Sequence, residues 1–105
     1  MTAIYRKFVV QDEEDGYRLT VGDYDNVLST AGDALSQANG QKFTTKDADN
    51  DNEEDINCAI TLGGGFWYNE CNPEHVPFLG ITGSGDNFKW DNHLLQSAGM
   101  YLVCP

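Results

Sequence analysis

The chain alternates short apolar runs with longer polar stretches, and two of the apolar runs lie close together near its start. Residues 3–10 and 17–24 are rich in β-branched and aromatic side chains, and the polar segment between them, residues 11–16, ends in glycine. Runs of this length and composition on either side of a turn predict an antiparallel hairpin. We therefore expect the two runs to pair as the first strands of a sheet.

The middle of the chain is more polar and predicts a short helix followed by a long loop. Residues 33–38 suit a helix, because Asp33 is a favoured N-cap residue and Asn39-Gly40 favours its end. From 44 to 57 the chain has almost no large apolar side chain. A segment with so little to bury predicts loop.

The last part of the chain combines short apolar runs with many glycines and prolines. Apolar residues fill 58–62 and 66–68 on either side of three glycines, and irregular structure is expected over 73–85. Residues 99–103 predict a closing strand. The whole pattern predicts one α+β domain over residues 1–105, rich in loops, with a small antiparallel sheet and a short helix.

The charge of the chain excludes more functions than its length does. Its 105 residues fit a single domain. With 17 acidic and 6 basic side chains, the net charge of −11 repels phosphate backbones and anionic lipid surfaces. No apolar run reaches the ~18 residues that a bilayer span requires, and the first residues hold no apolar signal segment. We expect no nucleic-acid partner and no membrane insertion, and a secreted form would have lost its signal or belong to a longer precursor.

Three cysteines leave two interpretations of the compartment open. Cys58 and Cys71 enclose a stretch rich in glycine and aromatic residues, and a bridge that closes such a loop contributes ~3 kcal/mol. The alternative is three unpaired thiols in a cytosolic protein. A zinc site is disfavoured, because the chain has no CxxC pair and its two histidines do not complete a ligand set. Cys104 is left over, and it is either free or a link to another chain.

A dense acidic segment is the sharpest chemical feature of the sequence. Six of the nine residues from 47 to 55 carry carboxylates. Alternating aspartates in a turn can direct several oxygens at one point, which suits Ca²⁺ with its about six to eight oxygen ligands. The alternative is a solvated loop that binds nothing. An EF-hand is excluded, because a loop that starts at Asp47 has Asn52 where the sixth position requires Gly and Cys58 where the twelfth requires Glu.

Five separate segments match the motifs of one known family, in the same order and with the same spacing between the two cysteines. They read YRLTVGDY (17–24), AGDAL (31–35), NGQKFTTKDADND (39–51), NCA (57–59) and GFWYNEC (65–71). On these motifs the chain resembles the C-terminal part of a fibrinogen-related domain, and its closing segment resembles the last strand of that family. The N-terminal subdomain of the family has no counterpart here.

The resemblance implies a fibrinogen C-terminal-like fold in an extracellular protein with one disulfide. Cys58 and Cys71 would form that bridge, which implies an oxidising compartment and a secreted protein. The aromatic residues 66–68 would belong mainly to the core. The family also holds the peptide bond before its second cysteine in the cis form, here Glu70–Cys71, at a cost of ~3 kcal/mol for a bond that does not precede proline.

The resemblance also implies a calcium site in the acidic loop. The side chains of Asp49 and Asp51 would bind Ca²⁺, with backbone carbonyls from Glu53 and Asp55 and with Asp47 in support. Ca²⁺ would then order this loop and shape the neighbouring surface that meets a ligand.

Family members that act as lectins bind acetyl groups, often those of N-acetylated sugars, beside the calcium loop. They use a His after the second cysteine and aromatic residues further on. Here Asn72 stands at the position of that His, and the candidates to line a remodelled pocket are Asn72, His75, Phe88 and Trp90. Two of these have a simpler alternative role, an exposed loop position for His75 and core packing for Trp90.

Two functions therefore stand beside each other. The first is a calcium-dependent recognition domain that binds glycans or other acetylated groups on pathogen surfaces, as in innate immunity. The second is a protein-interaction or structural module that keeps the calcium loop, lacks the acetyl pocket and joins other chains through Cys104. An enzyme is not expected, because Ser84 lies in no nucleophile elbow and no pair of carboxylates is set apart by its surroundings.

Overall fold

The computed structural model describes residues 1–72, 78–79, 89–90, 93–94 and 99–103. In this part of the chain long loops connect small sheets, short helical segments and turns, and no described helix is long and apolar enough to cross a membrane. The elements are β1 (Tyr5–Val10), a 3₁₀ turn (Glu13–Asp15), β2 (Leu19–Tyr24), a second 3₁₀ turn (Ser36–Ala38), α1 (Cys58–Leu62), β3 (Phe78–Leu79), β4 (Lys89–Trp90) and β5 (His93–Leu94). The strands form an antiparallel pair, β1-β2, and a small antiparallel sheet in the order β3-β4-β5. The extent of one domain over all 105 residues stays a prediction.

The hairpin expected at the start of the chain is confirmed. β1 and β2 pair antiparallel in a register that places Val10 opposite Leu19. The turn between them closes at Gly16, whose φ of 63° lies in the left-handed region that glycine adopts without strain. On the other side of β2, the N–H of Leu19 donates to the carbonyl of Gln41 at 3.0 Å. The hairpin is thus anchored to the loop that leads into the acidic segment.

The helix expected over 33–38 is shorter than predicted and has 3₁₀ geometry, because so short a segment leaves little room for i→i+4 hydrogen bonds. The N-cap of this turn is Leu35, which makes no side-chain cap hydrogen bond, so the prediction of Asp33 as the cap is wrong by two positions. Asp33 precedes the turn, and its Oδ1 accepts from the backbone N–H groups of Leu35 (3.3 Å) and Ser36 (3.2 Å) and from the Tyr5 hydroxyl at 2.6 Å. Asp33 therefore ties this turn to β1.

The hydrogen bonds to Asp33 predict an acid-sensitive contribution to stability. Burial raises the pKa of Asp33, but the hydrogen bonds from Ser36, Tyr5 and Leu35 outweigh it and hold that pKa below its ordinary value of 3.8. A carboxyl with a depressed folded-state pKa contributes stability that is full above its unfolded pKa and disappears as the pH falls through the folded pKa. We expect Asp33→Ala to lose about 1 kcal/mol at neutral pH, because it removes the acceptor of these hydrogen bonds. Urea unfolding at neutral and at acid pH should show a smaller fall in the free energy of unfolding for the variant than for the parent chain. An equal fall in both would contradict the contribution of Asp33.

Two buried clusters form the core, and Phe66 packs against both. The first joins the hairpin to the second 3₁₀ turn, and its buried members are Leu19, Val21, Leu35 and Ala38. The second packs α1 against the chain that follows it, and its buried members are Cys58, Ala59, Leu62, Tyr68 and Cys71. Trp67 packs against the first cluster and makes an edge-on contact with Phe66. The assignment of residues 66–68 to the core is confirmed.

The apolar run 58–62 forms α1, a helix that the hydrophobic pattern did not lead us to expect. Asn57 caps its first turn, because its Oδ1 accepts from the N–H groups of Ala59 (2.8 Å) and Ile60 (3.2 Å). Gly63 ends it with a φ of 87°. Asparagine before an apolar run and glycine after it are ordinary start and stop signals of a helix. The signal was therefore present in the sequence.

Two other expectations are wrong. The Glu70–Cys71 bond is trans, the isomer favoured wherever proline does not follow. Residues 99–103 form no strand, and the side chains of Tyr101 and Val103 are 89% and 90% exposed. A strand needs a neighbour to supply its ladder hydrogen bonds, and among the described residues none pairs with this segment.

Candidate functional site

The polar loop over 44–57, which contains the acidic segment, begins at Thr44. Thr44 is fully buried and fixes the position of the loop on the core. The N–H and carbonyl of Thr44 pair with those of Phe66 at 2.9 and 3.1 Å. The Thr44 hydroxyl accepts from the N–H of Asn50 at 3.0 Å, and Asn50 Nδ2 donates to the carbonyl of Phe43 at 2.9 Å. The loop is therefore held in place immediately before its central carboxylate, Asp51.

Asp51 is held by hydrogen bonds on both of its oxygens. Its Oδ1 accepts from the N–H of Glu53 and its Oδ2 from the N–H of Cys58, each at 2.9 Å. The Oδ1 of Asp49 accepts from the N–H of Asp51 at 3.3 Å, and the two carboxylates lie close enough to interact. The fold thus brings Asp49 and Asp51 together and fixes the orientation of Asp51.

At this turn the partly buried carboxylate of Asp51 lies beside the exposed carboxylate of Asp49. Burial raises the pKa of Asp51 and the charge of Asp49 adds to this, whereas the N–H groups of Cys58 and Glu53 oppose it. Burial, and then the charge of Asp51, raises the pKa of Tyr68 to about 12. A cation at this turn would relieve the repulsion.

The atoms at this turn that could bind a metal ion are carboxylate and carbonyl oxygens, which suit a hard cation. Each oxygen of Asp51 uses one lone pair for an N–H group and keeps another. In the described part of the chain no three His, Cys, Asp or Glu side chains converge to hold a metal ion. A site at Asp49 and Asp51 therefore needs backbone oxygens as well, which Ca²⁺ accepts. Calcium as the cation, with the side chains of Asp49 and Asp51 and the carbonyls of Glu53 and Asp55 as its ligands, stays a prediction.

The acidic loop is tied to both sides of a disulfide. The structure joins Cys58 and Cys71, the pair that the resemblance implies, with their Cα atoms 5.7 Å apart. Asp51 binds the N–H of Cys58 on one side. On the other side Asn52 donates from its N–H to the carbonyl of Asn69 at 2.9 Å, and from Nδ2 to Asn69 Oδ1 at 2.5 Å. The pairing of Asn52 with Asn69 has no signal in the sequence, because it joins residues that come together only in the folded chain.

The residues expected to line an acetyl-binding pocket are partly accounted for. Asn72 is exposed, directly after the buried Cys71. Trp90 is half-buried, packs against the first core cluster and donates from Nε1 to the carbonyl of Gly32 at 2.7 Å. These surroundings match its alternative role in core packing. His75, Phe88 and Cys104 lie outside the described residues.

The sequence of the chain is similar to those of several known proteins. The family model described as "Fibrinogen beta and gamma chains, C-terminal globular domain" matches residues 1–98. Fibrinogen C domain-containing protein 1-B of Xenopus laevis is 49% identical over 89 residues, which are 81% of this chain and 19% of that protein. Human Tenascin-N is 51% identical over 92 residues, which are 85% of this chain and 7% of that protein. The chain thus spans a small part of the length of the relatives it matches.

A solved structure shares the architecture. The fibrinogen-like globe domain of human ANGPTL2 matches with a TM-score of 0.64 and 32% identity, over 90% of this chain and 47% of that chain. This match confirms the α+β, fibrinogen-like fold that the motifs predict. The chain belongs to the family of fibrinogen C-terminal globular domains.

Proposed function

We propose that this chain is a non-catalytic recognition domain that binds Ca²⁺ in its acidic loop and acts outside the cell. The observation that carries the proposal is the carboxylate of Asp51, which two backbone N–H groups orient, next to the carboxylate of Asp49. Like charges held side by side destabilise the loop unless a cation neutralises them. The side chains of Asp49 and Asp51 would hold the cation together with the carbonyls of Glu53 and Asp55.

In this proposal some residues of the loop bind the cation, and others fix the conformation of the loop surface. Bound Ca²⁺ supplies two positive charges that offset the carboxylate pair. Asp51 also holds the start of α1 through the N–H of Cys58. Thr45 donates from its hydroxyl to Asp47 at 2.8 Å, which orients Asp47 in support of the pair. A loop fixed in this way offers a defined surface to a ligand.

The proposed compartment is extracellular. The Cys58–Cys71 bridge is buried, with Cys58 fully and Cys71 almost fully enclosed. Disulfides persist in oxidising compartments and are rare in the cytosol. The bridge supports a secreted protein over the alternative of three cytosolic thiols.

Two classes of ligand are proposed for the surface beside the loop. The first is a glycan or another acetylated group, the ligand of the lectin-type family members and the reason for an innate-immune role. The second is a protein, with Cys104 as the link between chains. The second is favoured by two observations: Asn72 stands where the lectins carry His, and Trp90 packs against the core.

Calcium is expected to raise the melting temperature of the chain, because a ligand that binds only the native state stabilises it. At a Ca²⁺ concentration of about 100 times Kd the gain is about 2.7 kcal/mol, which corresponds to roughly 10–20 °C for a domain of this size. The measurement is thermal unfolding in CaCl₂ and in EDTA, with NaCl at matched ionic strength as control. The absence of any shift at millimolar Ca²⁺ would contradict the calcium site.

The ligand class is tested with a glycan array read in Ca²⁺ and in EDTA. Binding to acetylated glycans that disappears in EDTA supports the lectin function. If Ca²⁺ stabilises the protein and no acetylated glycan binds, the protein-interaction module is the better description. Non-reducing electrophoresis then shows whether Cys104 joins two chains.

A further inference from the structure

We propose that Asn39 is a site of spontaneous modification: it deamidates to aspartate and isoaspartate at a rate set by the opening of residues 39–41 from the edge of β2. Asn39-Gly40 is the only Asn-Gly pair in the sequence, and both residues are exposed to water. The reaction needs water alone, without an enzyme, a cofactor or a metal ion. This inference is independent of the calcium site proposed above.

The reaction begins when the backbone nitrogen of Gly40 attacks Cγ of Asn39. The new N–Cγ bond closes a succinimide ring, the Cγ–Nδ2 bond breaks, and the amide proton of Gly40 leaves with the side-chain nitrogen as ammonia. Water then opens the ring at either carbonyl, which gives aspartate or isoaspartate at position 39. Glycine after asparagine favours the ring, because it has no side chain to hinder the attacking nitrogen and its backbone rotates freely.

Asn39, Gly40 and Gln41 lie like a short third strand along the edge of β2 that does not face β1. The Oδ1 of Asn39 accepts from the N–H of Val21 at 2.9 Å. The N–H of Gly40 donates to the carbonyl of Leu19 at 2.7 Å, and the carbonyl of Gln41 accepts from the N–H of Leu19 at 3.0 Å. The attacking nitrogen and the side chain that it attacks are therefore both engaged in hydrogen bonds to β2.

The native backbone also keeps the reacting atoms apart. Asn39 has a φ of −61° and a ψ of 130°. Ring closure requires a ψ of the opposite sign, because the nitrogen of Gly40 must rotate until it eclipses Cβ of Asn39. The segment must therefore open from β2 before it reacts. The observed rate is then the rate of the open segment multiplied by the fraction of time that the segment is open.

Arg18 helps to hold the segment closed. Its Nη1 donates to the carbonyl of Gly40 at 2.7 Å, and its Nε donates to the carboxylate of Asp15 at 3.2 Å. Asp15 lies in the 3₁₀ turn of the hairpin, so Arg18 connects that turn to the Asn-Gly pair. Because the Arg18 side chain is 40% exposed, its contribution to closure is modest.

The two products differ in their effect on β2. Aspartate leaves the main chain unchanged, and its carboxylate still accepts from the N–H of Val21. Isoaspartate adds a methylene to the main chain before Gly40, which displaces Gly40 and Gln41 from the backbone groups of Leu19. Leu19 is fully buried, and buried backbone groups without partners lower stability. Deamidation to isoaspartate therefore opens this edge of β2, and an open strand edge can pair with another chain.

The rate is measured on the full 105-residue chain, by mass spectrometry of the proteolytic fragment that contains Asn39. The native chain is compared with the chain unfolded in guanidinium chloride, at the same temperature and pH. We expect the native rate to be ~10- to 1000-fold lower than the unfolded rate, because the segment is open for only a small part of the time. A native rate equal to the unfolded rate, or below this range, would overturn the gated site. An unfolded chain that does not deamidate at Asn39 would overturn the site itself.

A matched pair of variants tests the role of Arg18. Arg18→Gln and Arg6→Gln each remove an arginine that binds an aspartate, but Arg6 binds Asp25, at the other end of β2. We expect Arg18→Gln to raise the native rate roughly threefold and Arg6→Gln to leave it unchanged. Neither variant should change the rate of the unfolded chain. An equal rise in both would overturn the role of Arg18, because it would indicate a general loss of stability.

Unfolding in urea tests the effect of the products. Asn39→Asp reproduces the aspartate product, and its urea midpoint should stay close to that of the parent chain. The isoaspartate form is isolated from the aged chain and identified with an enzyme that methylates isoaspartate specifically. Its urea midpoint should be lower by ~0.5 M or more. Equal midpoints for the isoaspartate form and the parent chain would overturn the opening of the β2 edge.

Discussion

Asp51→Asn is expected to weaken calcium binding by at least ~100-fold, because the number and charge of carboxylate ligands set the affinity of a calcium site. The substitution removes a negative charge and turns one of the two oxygens into an NH₂ group. That group would face the N–H of Glu53 or of Cys58, which both donate to Asp51 in the native loop. Titration calorimetry and the calcium-induced shift in melting temperature measure the effect.

Asp55→Asn is the matched control for this prediction. It removes the same charge from the same loop, but Asp55 is exposed and is proposed to bind through its backbone carbonyl, which the variant keeps. We expect its calcium affinity to stay within roughly threefold of the parent chain, since exposed charges are screened by salt. Equal losses in the two variants would show that the acidic loop attracts calcium by its total charge rather than through the oriented carboxylate of Asp51.

Leu19→Ala is expected to have the largest effect on stability, a loss of about 3 kcal/mol in the free energy of unfolding. Leu19 is completely buried at the start of β2 and packs in the cluster with Val21, Leu35 and Ala38. Truncation removes apolar contacts and leaves a cavity that the neighbouring backbone can fill only in part. Urea unfolding measures the loss, and the melting temperature should fall by roughly 12–24 °C.

Val10→Ala is the control for that variant. Val10 lies opposite Leu19 in the hairpin register, but its side chain is 42% exposed. Much of its apolar surface already faces solvent, so we expect a loss below about 1 kcal/mol. Similar losses in the two variants would contradict the full burial of Leu19 in the first core cluster.

Features that depend on neighbouring residues could be predicted from the sequence. The hairpin follows from two β-prone runs around a turn that ends in Gly16, and the loop after residue 43 follows from its lack of apolar side chains. The helix at Cys58 could have been predicted as well, since Asn57 and Gly63 are its cap and its stop. The motif order also led to the correct family, because ordered motifs with fixed spacing are specific to a fold.

Features that depend on distant partners could not be predicted in this way. The short apolar segment 99–103 has the composition of a strand, yet it is exposed and unpaired among the described residues, because a strand forms only beside another. Trp90 is a residue type that often lines ligand pockets, but its indole N–H donates to the carbonyl of Gly32, 58 positions away in the sequence. Residue type alone does not distinguish core packing from ligand binding.

The sequence by itself determined the family, the hairpin and the acidic loop, and the family resemblance implied which cysteines pair. The tertiary structure decided how these parts meet. It set Asp51 against the N–H of Cys58 and Asn52 against Asn69, contacts between residues 7 and 17 positions apart. Such contacts depend on where the core clusters hold each segment. A local pattern of polar and apolar residues does not specify which distant segments come together.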